Sequence, residues 1–406
     1  MKTILITAYA VNPYNGSEDG TGWNIAREIA KTHKVILITR KNNIPFIEKF
    51  KAESTDSVLN NMQCYGFDLS ETAMKVKKKL GERGYVLYYY FWQLRIVKFI
   101  QKMGFEFDIC HSLNFHSDSQ PNFLWKLGKP TFWGPIGHHP RVPEQYIKSV
   151  YGFKAFAKDR LYGAVKWAFR NLDPFFKKAV QKADKIFVIN SSIASAIKAK
   201  PNQVVVLPAV ASETVEINRD QQEFNVLSIG RFHFMKGFDI TIRAFAKFYN
   251  GLHTPDKSKV KLILVGQGEE KQRLESIAKE AGVFEQIKWV NWVSRDEVKT
   301  IYQTSSVFLF PSHEGAGMVV PEAMSYGLPV LCFDNYGPGE LVGKSPLKVQ
   351  YGPYQNSVDA FAMHLSDLFL NKAYRQEISN QNHKRFSEEF NWAFKGQLIK
   401  SAYSLV

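Results

Sequence analysis

The sequence predicts an α/β protein with two doubly wound domains, each a parallel sheet with helices on both faces, facing each other across a cleft. Its 406 residues exceed what one hydrophobic core usually holds. Continuous apolar runs, typical of strands buried on both faces, alternate with helical patterns almost throughout. A polar stretch, 211–223, interrupts this alternation once. We therefore expect a first domain at 1–210, a second at 211–384, and a helical segment at 385–406 that packs back on the first.

In the first domain, each predicted strand is a short apolar run, and each predicted helix follows it as a longer amphipathic stretch. The strands are Thr3 to Ala8, Val35 to Thr39, Met62 to Phe67, Phe107 to Cys110, Pro130 to Trp133, Lys185 to Ile189 and Val204 to Leu207. The helices lie near 21–31, 71–103, 119–127, 143–183 and 191–199.

The second domain repeats this alternation. Its predicted strands are Val226 to Ile229, Val260 to Val265, Ile287 to Val290, Val307 to Phe310 and Val330 to Phe333. Its predicted helices lie near 237–250, 269–281, 295–303, 318–326 and 357–370. Because ligands of such sheets bind at the carboxyl ends of the strands, we expect the functional site there.

The excess of basic over acidic residues lies entirely in the first domain. The net charge is +15, and residues 1–210 hold 31 of the 53 Lys and Arg but only 16 of the 38 Asp and Glu. Two segments, 71–103 and 148–182, mix these basic residues with aromatic ones. They are either solvated faces over an aromatic core or helices that lie on an anionic membrane surface. Nucleic acid is not an expected partner, because no known binding module accompanies the charge.

The cysteines and apolar runs indicate the compartment. Cys64, Cys110 and Cys332 are far apart, include no Cys-x-x-Cys pair and lie in apolar runs. Buried thiols in a reducing compartment are therefore expected rather than disulfides or a zinc site. No run of 18 apolar residues occurs, so a membrane-spanning helix is not expected. We expect a cytoplasmic protein, either free or peripheral on the inner leaflet, with no metal.

The densest functional signal follows the strand predicted at Val307 to Phe310. A loop containing Glu314 leads into a helix that is expected to begin near Gly317 to Val320 and that carries Glu322. A helix start presents backbone N–H groups and the positive end of a dipole, so a phosphate can dock there. A carboxylate can accept hydrogen bonds from a vicinal diol, which suits one glutamate to ribose and the other to a sugar. Either glutamate alone could equally be a solvated charge.

Two basic residues follow the strand predicted at Val226 to Ile229. Arg231 closes that strand, and Lys236 precedes a helix that is expected to start at Gly237. Both can project into the cleft, where fixed cations can neutralise a departing diphosphate without a metal. Read without their neighbours, they would be surface residues near a turn.

These motifs together resemble a known family. The spacing Glu-x7-Glu, preceded by Gly230-Arg231, by Lys236-Gly237 and by Val265-Gly266-Gln267-Gly268, is similar to that of the family 4 retaining glycosyltransferases, which have the GT-B fold. The resemblance covers nearly the whole second half of the chain. The first half matches mainly in its layout.

The resemblance implies a role for each matching residue. Arg231 and Lys236 would hold the diphosphate of the donor, and Glu322 would hold the nucleotide ribose. Glu314 would bind the donor sugar and phosphate, together with the backbone N–H groups that follow it. The donor-binding set also includes Gly230, Gly317, Met318 and Val319.

In the first half, the candidates are glycines and a histidine. Gly20 and Gly22 lie in the stretch that joins the first strand to the first helix, where they would let the backbone approach the sugar or diphosphate. That stretch has no Gly-x-Gly-x-x-Gly, which argues against a dinucleotide site. The resemblance implies a histidine in the catalytic region after the strand Pro130 to Trp133. His138 is the matching residue, and His116 is the alternative.

The resemblance implies a hexosyltransferase-type enzyme that uses a nucleotide-diphosphate sugar and needs no cofactor. Transfer would retain the anomeric configuration, through an oxocarbenium-like state, to a glycan or lipid-linked acceptor of cell-surface polysaccharide or lipopolysaccharide biosynthesis. One alternative is a nucleotide-sugar 2-epimerase of the same fold. Another is a non-catalytic protein that binds a sugar nucleotide or a membrane.

Overall fold

The computed structural model describes the chain except for residues 115, 139, 209–210, 212–214 and 216–222. It also leaves undescribed the side chains of Ser17, Glu82, Arg83, His116 and Arg295.

The chain divides into two compact units of discontinuous sequence. The first unit comprises Met1–His138, Tyr162–Val210 and Trp392–Val406, and the second comprises His139–Leu161 and Ala211–Asn391. Residues 139–161, which the sequence analysis assigned to the first domain, thus belong to the second unit. The last 15 residues, 392–406, belong to the first unit.

The first unit contains a parallel sheet of eight described strands in the order β3-β2-β1-β4-β6-β7-β8, with β5 paired to β6. The strands are β1 Thr3–Ala8, β2 Lys34–Thr39, β3 Met62–Gly66, β4 Ile109–Asn114, β5 His116–Ser117, β6 Thr131–Gly137, β7 Lys185–Val188 and β8 Val204–Val206. In β1, Leu5 lies beside Ile36 and Cys110 on the neighbouring strands. Ile4, Leu5 and Ile6 are all fully buried, so both faces of the strand are covered, which explains its continuous apolar run.

The second unit contains a parallel sheet of six described strands in the order β11-β10-β9-β12-β13-β14. The strands are β9 Phe224–Ile229, β10 Val260–Val265, β11 Ile287–Val290, β12 Val307–Phe310, β13 Val330–Phe333 and β14 Lys348–Val349. Because β9 pairs with both β10 and β12, the turns that follow these three strands are neighbours at one edge of the sheet.

Helices cover both sheets. Those before the second sheet are α1 Ser17–Ala30, α2 Ile44–Glu53, α3 Glu71–Lys79, α4 Gly81–Met103, α5 Glu144–Leu172, α6 Pro174–Lys182 and α7 Ser192–Ile197. The later ones are α8 Phe238–Asn250, α9 Thr254–Lys257, α10 Lys271–Glu280, α11 Arg295–Gln303, α12 Val319–Ser325, α13 Pro338–Val342, α14 Tyr354–Leu370, α15 Lys372–Glu389 and α16 Trp392–Tyr403. Short 3-10 helices occur at Lys41–Asn43, Ser57–Asn61, Leu124–Leu127, Pro201–Gln203, Phe234–Lys236 and Phe284–Gln286.

Several helix predictions differ from the structure. The segment 71–103 forms two helices. The segment 143–183 is broken twice, at Gly152, which has a φ of +81° inside Glu144–Leu172, and at Asp173, whose side chain accepts a hydrogen bond from the backbone N–H of Phe175 at 2.8 Å and caps α6. The helix expected at 119–127 is only one 3-10 turn. In contrast, α2 was not predicted at all, although its proline lies in the first turn, where a helix tolerates it.

The first unit's core lies on both faces of its sheet. Ile4 and Ile6 belong to one apolar cluster and Leu5 to another, as the alternation of side chains along a strand requires. Ile399 and Tyr403 of α16 join the first cluster, so the C-terminal helix packs on this unit. The three cysteines are free thiols. Among the described residues, none of the helices is both long and apolar enough to cross a membrane.

Candidate functional site

The turns after β9, β10 and β12 pack against each other backbone to backbone. A Cβ atom at Gly266 would lie 1.9 Å from the carbonyl oxygen of Gly230, and one at Gly237 would lie 2.1 Å from that of Pro311. No side chain fits at either distance, so these glycines are needed for the close approach. These three closely packed turns form a rim at the carboxyl ends of the strands of the second sheet.

The turn that carries Lys236 is anchored to the loop after β12. The backbone N–H of His313 donates to the carbonyl oxygen of Met235 at 2.8 Å, and the Ser312 hydroxyl donates to the same oxygen at 3.1 Å. Gly237 follows with a φ of +69° and leads into α8. Lys236 is therefore held in a fixed position relative to the loop that contains Glu314.

Lys236 and Glu314 form an ion pair. The Lys236 Nζ lies 2.5 Å from the Glu314 Oε2, and the two side chains are 22% and 10% exposed. The same Nζ lies 5.3 Å from the ring centroid of Phe310. A Cβ atom at Gly230 would be 3.5 Å from the Lys236 side chain. Three residues that the sequence singled out, Gly230, Lys236 and Glu314, are thus brought together.

Glu322 lies in the first turn of α12 and is held by a tyrosine. The hydroxyl of Tyr302 donates to the Glu322 Oε2 at 3.2 Å. Burial, followed by the negative charge of Glu322, raises the pKa of Tyr302 well above its usual value, so this hydroxyl remains a donor. No sequence motif marks Tyr302, because it lies on α11, 20 residues before its partner.

The helix that carries Glu322 begins within the predicted range, Gly317 to Val320, but two residues after its first position. Its first residue is Val319, with Met318 before it and Gly317 in a left-handed conformation at φ +87°. A Cβ atom at Gly317 would lie 3.1 Å from the Cγ of Pro338. The glycine therefore allows the loop to turn against the start of α13 before α12 begins.

Arg231 is the most exposed of the predicted residues. Its side chain is 67% exposed, and its Nη2 lies 3.4 Å from the Glu269 Oε2. The Nε2 of His233 lies 3.6 Å from the other oxygen of the same carboxylate. Burial lowers the pKa of His233, Glu269 opposes this shift, and the positive charges of Arg231 and Lys236 add to it. The two predicted cations therefore both act on His233, which the sequence analysis did not single out.

Asn335, which follows β13, also anchors the loop that contains Glu314. Its amide Nδ2 donates to the carbonyl oxygen of Ser312 at 2.9 Å, and its Oδ1 accepts from the backbone N–H of Gly337 at 3.1 Å. A Cβ atom at Gly337 would lie 2.0 Å from the carbonyl oxygen of Glu314. The sequence signal for this role is an asparagine two residues before a Gly-Pro-Gly turn.

In the first unit, His138 belongs to a buried charge cluster. Its Nδ1 donates to the Asp118 Oδ2 at 2.7 Å. Lys166 lies 3.4 Å from the same carboxylate, and Arg170 also contacts it. Burial raises the pKa of Asp118, but the hydrogen bond from His138 and the nearby charges outweigh it, so the pKa lies well below its ordinary value. The side chain of the alternative, His116, lies outside the described residues.

Gly20 and Gly22 do not lie in an open loop, and this expectation is wrong. Both belong to the first turns of α1, which begins at Ser17. A Cβ atom at Gly20 would lie 2.6 Å from the carbonyl oxygen of Asn15, and one at Gly22 would lie 2.2 Å from that of Ala10. The two glycines therefore allow the helix to pack closely on the strand-to-helix turn of the same unit.

Two parallel sheets with helices, each in its own compact unit, are also found in solved structures. The whole length of this chain is similar to the glycosyltransferase WaaG, involved in lipopolysaccharide biosynthesis, with a TM-score of 0.61, 16% identity and 99% of each chain covered. It is also similar to HepE of Anabaena, solved in complex with UDP, with a TM-score of 0.63, 14% identity and all of both chains covered. The fold is therefore GT-B.

The second half of the chain also matches a known family. Residues 211–385 match the family described as glycosyl transferases group 1. The chain is 27% identical over 169 residues to the lipopolysaccharide core biosynthesis glycosyltransferase LpsE of Rhizobium meliloti, covering 41% of this chain and 45% of LpsE. The second half of this chain is thus similar to the group 1 glycosyltransferases, in a protein of GT-B fold. The chain spans less than half the length of the first curated relatives that it matches.

Proposed function

We propose that this protein is a retaining hexosyltransferase that uses a nucleotide-diphosphate sugar as its donor. The observation that carries the proposal is the 2.5 Å pair of Lys236 and Glu314 on the rim that also carries Arg231. The family match of residues 211–385 supports a glycosyltransferase. HepE, which shares the fold, was solved with UDP, which supports a nucleotide donor.

Each residue of the rim has a role in this proposal. Lys236 and Arg231 bind the diphosphate, and Glu322, oriented by Tyr302, binds the ribose hydroxyls. Glu314 and the backbone of Gly317, Met318 and Val319 bind the sugar and its phosphate. When the diphosphate gains negative charge on leaving, fixed cations stabilise it without reorganisation, so no cofactor is required.

The proposed reaction breaks the bond between the sugar C1 and the diphosphate oxygen. The acceptor oxygen bonds to C1 on the face that the diphosphate leaves, and the acceptor proton passes to a phosphate oxygen. The oxocarbenium-like state between these events needs no enzyme nucleophile. In the first unit, His138, oriented by Asp118, is the residue that we propose for the catalytic region.

The acceptor in this proposal is a glycan or lipid-linked molecule of cell-surface polysaccharide or lipopolysaccharide biosynthesis. LpsE acts in lipopolysaccharide core biosynthesis, and its match over 41% of this chain supports that class. We propose that the enzyme works on the cytoplasmic side of the membrane, at the inner leaflet.

Exposed apolar side chains support a membrane surface as partner. In the segment 71–103, Tyr85, Leu87 and Phe91 are about half exposed. In the segment 148–182, Trp167 is 54% exposed and Leu172 is 69% exposed. Other aromatic residues of 71–103 are core residues, namely Tyr88, Tyr89 and Trp92. Basic-aromatic helices of this kind bind anionic bilayers.

The donor proposal is tested by calorimetry with UDP, GDP and ADP, followed by a transfer assay with the matching sugar nucleotide. We expect one nucleotide to bind and its sugar to be transferred with retained configuration, which NMR of the product reports. Inversion at C2 without any acceptor would favour the epimerase. Failure of all nucleotides to bind would overturn the donor site.

The membrane proposal is tested by flotation with anionic vesicles at low salt. We expect the protein to float with the vesicles and Trp167→Glu to reduce the floated fraction. Trp292→Glu is the matched control, because this tryptophan is 56% exposed but lies in the second unit. A protein that stays unbound, or two variants with equal losses, would contradict the proposal.

A further inference from the structure

A groove of about 870 Å³ lies between α3 and α4 of the first unit. The residues of α4 that line the groove lie on one face of the helix, between Gly84 and Lys102. This face forms a wall roughly 27 Å long. Most of the wall is apolar, with Leu69, Ala73, Val76, Leu80, Leu87, Phe91 and Phe99 among the lining residues. The volume is within the range of small-molecule sites.

The charged residues of this groove are mainly basic. Four basic residues, Lys77, Arg95, Lys98 and Lys102, line it together with one acidic residue, Asp68. The Asp68 carboxylate already accepts hydrogen bonds from the Tyr88 hydroxyl at 2.9 Å and from the backbone N–H of Lys41 at 3.1 Å. Apolar walls with an excess of positive charge match an occupant that has both an apolar chain and a negative group.

Lys77 is the buried cation of the groove. It is only 6% exposed, and its Nζ donates to the Tyr9 hydroxyl at 3.1 Å. The Nζ also lies 4.3 Å from the ring centroid of Tyr85 and 4.7 Å from that of Tyr88. Tyr9, which follows β1, and two tyrosines of α4 thus hold the ammonium group at the N-terminal half of the α4 wall, away from the exposed Arg95, Lys98 and Lys102.

The charge of Lys77 is only partly compensated by its surroundings. Arg40, Asp68 and Lys78 are the charged groups that act on it. Burial, together with Arg40, lowers the pKa of Lys77 to about 8, so it remains mostly protonated at pH 7. An anionic oxygen bound to this desolvated ammonium group would form a strong charge-assisted hydrogen bond.

We propose that this groove binds the lipid-phosphate part of the acceptor, with the chain against the apolar walls of α3 and α4 and the phosphate on Lys77. The assignment of this amphiphile as the acceptor rests on the proposed function. Binding of the amphiphile itself does not, because the groove uses none of the donor-site residues.

The experiment is calorimetry of the full chain with monododecyl phosphate below its micelle-forming concentration. We expect saturable binding of one molecule per chain. Dodecyl maltoside and dodecyltrimethylammonium, which have the same chain with a neutral or positive head, should bind at least about tenfold more weakly. Equal affinity for all three, or binding of the protein to anionic vesicles but not to the monomeric phosphate, would overturn the proposal.

Two variants and a matched control locate the site. Lys77→Met should weaken binding of monododecyl phosphate about tenfold, whereas Lys75→Met, an exposed lysine of the same helix, should leave it unchanged. Leu87→Asp should also weaken it, because it adds a negative charge to the wall. Circular dichroism checks that each variant is folded. Equal effects of the two lysine variants would refute the assignment of Lys77.

The pH dependence gives a further readout. Affinity should be constant between pH 7 and about 8 and then fall as Lys77 loses its proton in the free protein. Lys77→Met should show no such fall, and a fall of equal size would contradict the proposal. Titration of the same preparation with UDP and GDP separates the two proposals. Nucleotide binding without amphiphile binding rejects only the groove, and the reverse rejects only the donor site.

Discussion

The two units each contain a carboxylate paired with cations, but the two sites differ in exposure. The Asp118 side chain is fully buried and is contacted by His138, Lys166 and Arg170. Glu314 is paired with Lys236, and both side chains retain some exposure on a rim of turns. In the first arrangement the carboxylate is fully buried, so removing it should cost folding stability. The second leaves charges where a ligand can reach them, so breaking it should affect mainly activity.

The largest expected effect is on the stability of the first unit. Asp118→Ala should lower the free energy of unfolding by about 3–5 kcal/mol, because it leaves three basic side chains without their buried partner. Denaturant unfolding followed by circular dichroism measures this. The control is Asp296→Ala, because that aspartate is 88% exposed and its pair with Lys299 lies at the surface. Comparable losses in both variants would contradict the proposed difference between enclosed and open charges.

The pH dependence of stability checks the same site. The pKa of Asp118 in the folded protein lies below its value in the unfolded chain, so its contribution is present above about pH 4. It is lost as the pH falls from there towards the folded pKa, because only the unfolded chain then takes up the proton. The difference in unfolding free energy between the wild type and Asp118→Ala should therefore be constant from pH 7 to about pH 4 and narrow between pH 4 and pH 3, without closing there.

The next largest effect is on turnover. Lys236→Ala should reduce kcat by about 10²–10³-fold, because it removes a fixed cation from the leaving diphosphate. It should cost less stability than Asp118→Ala. Lys247→Ala is the control, because it breaks an exposed ion pair with Asp359 in the same unit. Unchanged turnover in Lys236→Ala, measured by nucleotide release, would reject the diphosphate role.

The difference between the sites also explains what the sequence could predict. Lys236 and Glu314 lie in short motifs, next to glycines whose positions the close backbone contacts require, so the motif and the geometry coincide. Asp118 lies in no such motif. Its partners Lys166 and Arg170 are 48 and 52 residues away, on a helix whose spacing puts both on one face. Only tertiary structure brings them to Asp118.

The strands were predicted better than the positions of some helices. Strands were found because apolar runs are a strong local signal, and β9 to β13 match their predictions closely. The helix α2 was not predicted, because a proline usually breaks a helix. Only the structure shows that this proline lies in the first turn, where a helix tolerates it. Gly20 and Gly22 were placed in a loop because glycine is typical of turns. Their actual role, close packing of α1 on its own unit, depends on backbone contacts that the sequence does not specify.

A smaller effect is expected on nucleotide affinity. Glu322→Ala should raise the Kd for the bound nucleoside diphosphate about tenfold, because it removes the acceptor of the ribose hydroxyls. Turnover at saturating donor should change less than in Lys236→Ala. Calorimetry gives the Kd and steady-state assays give kcat. A large loss of kcat with an unchanged Kd would instead place Glu322 at the sugar.

The smallest effect tests whether Tyr302 positions Glu322. Tyr302→Phe keeps the ring, which stacks on Tyr326 with centroids 5.1 Å apart, and removes only the hydroxyl that donates to Glu322 at 3.2 Å. We expect a rise in Kd of about threefold, with kcat unchanged, because the carboxylate is less well oriented but still present. In the Glu322→Ala background the same change should have no further effect on the Kd. An additive effect in the double variant would mean that Tyr302 acts on the nucleotide independently of Glu322.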